Sequence, residues 1–269
     1  MSQPASALKP ARRARWLYPG NHRRLGWWVG LGAAVLVALV LALGYGASAG
    51  VRGALGMLAA LVAQDRFTRW LRQRVGPEQA SLADALTFSR AAAGMVLAGV
   101  IASGVRDRPG AAGWIGWLVM VVGATACDWL DGPLARRLGP TRTGGALDIE
   151  ADSWVTLWSM AAAVTWGGLP WWVLVAPLLR YAHPLLDVLA GGLPTGGGPW
   201  WGRVTGVAQM ALCFAALAPV QSAARDTAVA VAAAPVAVAQ CAAMLVMLWQ
   251  RRAAPPLRTP TRGGQVGGR

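Results

Sequence analysis

The amino-acid sequence predicts an all-α, polytopic membrane protein, and three observations carry that prediction. Several apolar runs reach the roughly 20 residues that a helix needs to cross a bilayer. Of the 269 residues, 55% are hydrophobic, and the mean hydropathy is positive, at +0.43. The 25 basic residues, all arginine except Lys9, gather at the flanks of the apolar runs. A net charge of +14 in that arrangement fits cytoplasmic flanks and anionic headgroups. It does not make the continuous basic face that nucleic-acid binding requires. Cys127, Cys213 and Cys241 lie in apolar stretches without metal-ligand spacing and read as small buried hydrophobes.

Residues 1–25 carry Lys9, Arg12, Arg13, Arg15, Arg23 and Arg24 and read as a basic cytoplasmic tail. The apolar run behind them is too long for the core of a cleaved signal, so the tail is expected to be retained. Residues 26–63 are apolar apart from Arg52. That is too long for one span, and arginines flank both ends. A hydrophobic hairpin turning at Tyr45–Gly50 puts both ends on the cytoplasmic side. Residues 64–77 are amphipathic, with Phe67, Trp70, Leu71 and Val75 on one side and Arg66, Arg69, Arg72 and Arg74 on the other. They predict a juxtamembrane helix in the headgroup layer that ends at Gly76-Pro77.

Residues 81–250 read as six helices. The first is capped by Ser81 and runs to about Val105, with Asp84, Thr87 and Arg90 spaced i, i+3, i+6 along one face. A turn at Arg106–Gly110 leads into the second, from about Trp114, which carries Asp128 and Asp131 near its end. The third starts near Gly145, presents Asp148 and Asp152 early, and stops at Gly167–Pro170. The fourth, about Trp171–Leu189, holds Arg180 and His183. An arginine inside a span is costly unless it faces a cavity, which makes Arg180 a candidate pocket residue. His183, before a proline, reads as a packed, hydrogen-bonded side chain. After a glycine- and proline-rich loop, Ala190–Trp201, the fifth helix opens with Gly202-Arg203 and the sixth ends near Gln250. Residues 251–269 form a second basic tail, disordered and cytoplasmic.

The chemistry is concentrated between Asp128 and Asp152. Five of the chain's 11 acidic residues fall there, at the edge of two apolar segments. Asp128 and Asp131 are i, i+3, and Asp148 and Asp152 are i, i+4, so each pair shares one helix face. Two facing carboxylate pairs make an all-oxygen pocket for hard divalent cations. Glu150 points off the Asp148/Asp152 face and is left out of the metal shell. Gly132, Ala135 and Gly144 leave room for a large ligand, and Arg136 sets a fixed cation where a phosphate would lie. Metals, small residues and an arginine together point to pyrophosphate chemistry.

This window resembles the CDP-alcohol phosphatidyltransferase family, whose signature is D-x2-D-G-x2-A-R-x8-G-x3-D-x3-D. Asp128, Asp131, Gly132, Ala135, Arg136, Gly144, Asp148 and Asp152 fill its fixed positions. The departure is a gap of seven residues, rather than eight, between Arg136 and Gly144, which predicts a tighter turn at Leu138–Thr143. The opening Asp84-x-x-Thr87-x-x-Arg90 is similar to the family's first core helix. Gly202 and Gln209 match a stretch of the phosphatidylglycerophosphate-synthase-like members, where Arg203 replaces one lysine and a second cation is missing.

The resemblance implies a six-helix CDP-alcohol phosphotransferase core and a homodimer in the cytoplasmic membrane, with its site facing the cytoplasm. It implies transfer of a phosphatidyl group from a CDP-linked lipid such as CDP-diacylglycerol to an alcohol, releasing CMP. Asp128, Asp131, Asp148 and Asp152 would hold two Mg²⁺ or Mn²⁺ ions, and Asp152 would also act as general base. Gly132, Ala135, Arg136, Gly144, Asp84, Thr87 and Arg90 would bind CDP. Arg180 and Arg203 tilt the acceptor towards a phosphate-bearing alcohol. Alternatives remain open: a soluble CDP-alcohol donor with a lipid acceptor, a transporter whose aspartates relay ions, or a scaffold that keeps the fold. The clustering of the carboxylates at one membrane edge weighs against the transporter, and an intact Asp152 weighs against the scaffold.

Overall fold

The computed structural model of the protein describes residues 22–75, 82–106, 110–138, 142–180, 200–220 and 222–253. Every regular element among the described residues is helical. They are α1 (His22–Tyr45), α2 (Ala47–Val75), α3 (Leu82–Ala102), α4 (Ala111–Leu138), α5 (Arg142–Trp166), α6 (Trp171–Arg180), α7 (Trp200–Leu217) and α8 (Ala223–Ala253). The first turn of α6, Trp171–Leu174, is 3₁₀. Residues 1–21 and 254–269 of the basic tails, the Gly76-Pro77 stop, Ser81, His183 and the loop at 190–199 lie outside the described residues. So do 107–109 and 139–141, within the two expected turns.

Gly46 separates α1 from α2. Its φ of +90° is accessible to glycine at little cost and breaks the helix there. The two helices pack on each other so closely that a Cβ on Gly50 would stand 2.6 Å from the Ala38 carbonyl oxygen. The interfacial helix expected at 64–77 is not a separate element: α2 continues through it to Val75. No glycine or proline interrupts Ala63–Arg66, and an i, i+4 bond supports the helix just past the expected joint, with Arg69 Nε donating to Asp65 at 2.9 Å.

The central element is α3, which packs on α1, α2, α4 and α5. Glycines allow α2 and α3 to cross in near-backbone contact. A Cβ on Gly56 would meet Ala102 Cβ at 2.3 Å, and one on Gly99 would meet the Gly53 carbonyl oxygen at 2.8 Å. The charge in the otherwise apolar N-terminal stretch has a use: Arg52 Nε donates to the Ser103 carbonyl oxygen at 2.9 Å, past the end of α3. A cation there also complements the negative end of the helix dipole.

One core cluster joins Leu97, Trp117, Met160, Cys213 and Leu217 across α3, α4, α5 and α7. A second joins Ala34, Met57, Leu61, Met95 and Trp154 across α1, α2, α3 and α5. By length and composition Ala47–Trp70 and Ala223–Met247 can cross a membrane, and four shorter helices are apolar. The outward faces are apolar too: Leu36, Leu39, Val40 and Leu43 on α1 are exposed, as are Val231 and Val238 on α8. A helix apolar on both faces is suited to lipid rather than water.

Candidate active site

The site is built on the opening turns of α5. At 3.6 residues per turn Asp148 and Asp152 share a face, and Glu150 lies on the opposite one. Burial follows that geometry. The Asp148 and Asp152 side chains are 47% and 51% exposed, whereas Glu150 is 1% exposed. Leu147 and Ala151 are buried beside it and seat the helix against its neighbours.

Arginines from two other helices meet the two carboxylates. On α3, Thr87 and Arg90 are both buried, at i and i+3. Arg90 Nη2 donates to the Asp148 carboxylate and, at 3.0 Å, to the Asp148 backbone carbonyl oxygen. That arginine, expected to bind CDP, is engaged here with the aspartate helix. On α6, Arg180 donates to the Asp152 carboxylate. The same guanidinium lies against α7, where a Cβ on Gly206 would stand 3.2 Å from Nη1. Four helices therefore converge on two carboxylates and two guanidiniums. Such a set can orient an anion through the arginines and a cation through the aspartates.

The remaining predicted residues have known helical positions but side chains outside the described residues. Asp128, Asp131, Gly132, Ala135 and Arg136 lie on the last turns of α4. Asp84, Gly144 and Arg203 lie on the first turns of α3, α5 and α7. No group of three or more metal-ligating side chains comes together among the described residues. The two half-exposed carboxylates on one face nevertheless offer the hard oxygen donors that Mg²⁺ or Mn²⁺ takes, so their chemistry fits such an ion.

Two polar contacts were not foreseen. Gln64, buried on α2, donates through Nε2 to the carboxylate of Glu150 on the back of α5. Thr205 on α7 is hydrogen-bonded to buried Gln240 on α8, and Gln209, one turn beyond Thr205, is buried as well. The only sequence signal for the first contact was a carboxylate on the wrong face of the motif helix, together with a glutamine in an apolar run.

Residues 80–252, which hold all of α3 to α7 and nearly all of α8, match the family model described as CDP-alcohol phosphatidyltransferase. No curated protein and no solved structure matches the chain.

Proposed function

The chain belongs to the CDP-alcohol phosphatidyltransferase family, and we propose that it transfers a phosphatidyl group from a CDP-linked lipid such as CDP-diacylglycerol to a small phosphate-bearing alcohol, releasing CMP. The family moves a phospho-alcohol group from a CDP-alcohol in lipid synthesis and works in the membrane. The choice of donor and acceptor is this chain's own question. The observation that carries our reading is the convergence of Arg90 and Arg180 on Asp148 and Asp152.

The acceptor oxygen attacks the phosphorus that carries the lipid, the bond from that phosphorus to the CMP oxygen breaks, and CMP leaves with the electron pair. The acceptor proton goes to Asp152 as general base. Arg180 contributes to the timing. It occupies Asp152 before the acceptor arrives, and a phosphate on the acceptor draws its donors away and frees a carboxylate oxygen. Arginine has five donors, so it can hold phosphate and carboxylate together during that exchange. Arg203, at the start of α7, adds a second cation to the acceptor side.

Asp128, Asp131, Asp148 and Asp152 would hold two Mg²⁺ or Mn²⁺ ions, which supply charge neutralisation on the pyrophosphate and the leaving CMP. Arg90 orients Asp148 for that task. Gly132, Ala135 and Gly144 leave space for CDP, with Arg136 on a phosphate and Asp84 and Thr87 on the nucleotide side. The arginine-rich flanks support a site on the cytoplasmic face of the cytoplasmic membrane, and the family resemblance suggests a homodimer of six-helix cores.

The test is CMP release from CDP-diacylglycerol by the lipid-reconstituted protein against a panel of acceptors: glycerol 3-phosphate, inositol phosphate, serine and a phospholipid headgroup. Release that depends on one phosphate-bearing acceptor supports the reading. Release only from a soluble CDP-alcohol with a lipid acceptor would replace it.

A further inference from the structure

We propose that Gln64, on a helix outside the matched segment, is a positioning residue: through Glu150 it fixes the rotation of α5 and thereby aims Asp148 and Asp152. The inference rests on the reading of those two aspartates as reacting carboxylates.

The helix α2 ends before residue 80 and so lies outside the segment that matches the family model. Two hydrogen bonds among the described residues link it to the core helices. Arg52 holds the Ser103 carbonyl beyond α3, and Gln64 holds Glu150 on α5. Between these ties the Gly53/Gly56/Gly99 crossing fixes α2 against α3. Gln64 and Glu150 are 2% and 1% exposed, so their hydrogen bond is shielded from water.

Glu150 lies about 180° around α5 from the midpoint of Asp148 and Asp152. A bond on the back of a helix opposes its rotation as well as its sliding. Carboxylates on the front stand about 6 Å from the axis, so a rotation of about 10° moves them by about 1 Å. Displacement on that scale is enough to cost about 100-fold in rate where reacting groups must be aligned. Of the front-face arginines, Arg180 cannot replace this restraint, because in the proposed mechanism it changes partners during the reaction, and Arg90 holds only the Asp148 end of the pair.

The test compares Gln64→Leu, the exchange variant Gln64→Glu/Glu150→Gln, and Arg52→Gln with the wild-type protein in vesicles. Two quantities are read: steady-state kinetics of CMP release, and Mn²⁺ affinity from the electron paramagnetic resonance signal of free Mn²⁺. Gln64→Leu is expected to lower kcat and weaken Mn²⁺ binding by about tenfold or more, with the acceptor KM changed less than about twofold. The exchange variant keeps an amide and a carboxyl facing each other, and is expected to recover both quantities to within about threefold. Arg52→Gln cuts the bond to Ser103 and is expected to keep kcat within about threefold.

The inference is overturned if Gln64→Leu behaves as wild type, if the exchange variant is as impaired as the single one, or if Arg52→Gln loses as much. A wild-type protein that is active but indifferent to Gln64→Leu removes this inference alone. A wild-type protein that neither binds Mn²⁺ nor releases CMP removes the transfer reading, and the inference falls with it.

Discussion

Arg180 of α6 and Asp152 of α5 form an ion pair, so the carboxylate proposed as general base is held by the cation proposed to bind the acceptor. The pair is partly open, with 21% of the Arg180 side chain and 51% of the Asp152 side chain exposed, which leaves a ligand room to reach both. In the proposed mechanism that single contact would couple acceptor binding to base activation.

Arg180→Gln should therefore raise the acceptor KM far more than the KM for the CDP donor. Loss of a charge-assisted hydrogen bond of about 2 kcal/mol corresponds to about 30-fold. Steady-state kinetics with each substrate varied in turn measures the split. Equal effects on both KM values would count against Arg180 as an acceptor residue.

Arg90→Leu should lower kcat by about 100-fold, since it removes the Nη2 that holds both the Asp148 carboxylate and its backbone carbonyl. Expression and the melting temperature in detergent, measured alongside, separate this loss from unfolding. Wild-type kcat in the variant would contradict the orienting role of Arg90.

Removal of divalent ions by EDTA should abolish CMP release, and Mn²⁺ or Mg²⁺ should restore it, because carboxylates on one face of α5 provide hard oxygen donors. Activity that survives exhaustive chelation would remove the ions from the mechanism.

Packing makes a prediction independent of function. Gly99→Ala should destabilise the protein by about 1–3 kcal/mol, because its Cβ would meet the Gly53 carbonyl oxygen at 2.8 Å and backbone cannot yield cheaply. Gly123→Ala, with nothing within 4 Å, should be neutral or stabilising by up to about 1 kcal/mol. Thermal unfolding in one detergent compares the two.

What the sequence made readable was what is local. The helical class follows from long apolar runs, and the common face of Asp148 and Asp152 follows from a spacing of four on a 3.6-residue period. The burial of Glu150 on the opposite face follows from the same period. What it hid was tertiary. Arg90 reaches Asp148 across 58 residues, Arg180 reaches Asp152 across 28, and Gln64 reaches Glu150 across 86. No periodicity encodes such pairings, because they depend on how helices pack. The continuity of α2 through Val75 was missed for a related reason: a change from apolar to amphipathic composition looks like a boundary, but a helix ends only where its backbone is broken or capped.

The most direct measurement is acceptor-dependent CMP release from CDP-diacylglycerol by wild-type protein and Asp152→Asn, in matched vesicles with Mn²⁺. The account predicts release by the wild type and a loss of about 10³-fold or more in the variant, the range expected when a general base is removed. Equal release by the two proteins would contradict it, because the transfer would then proceed without the carboxylate on which the mechanism is built.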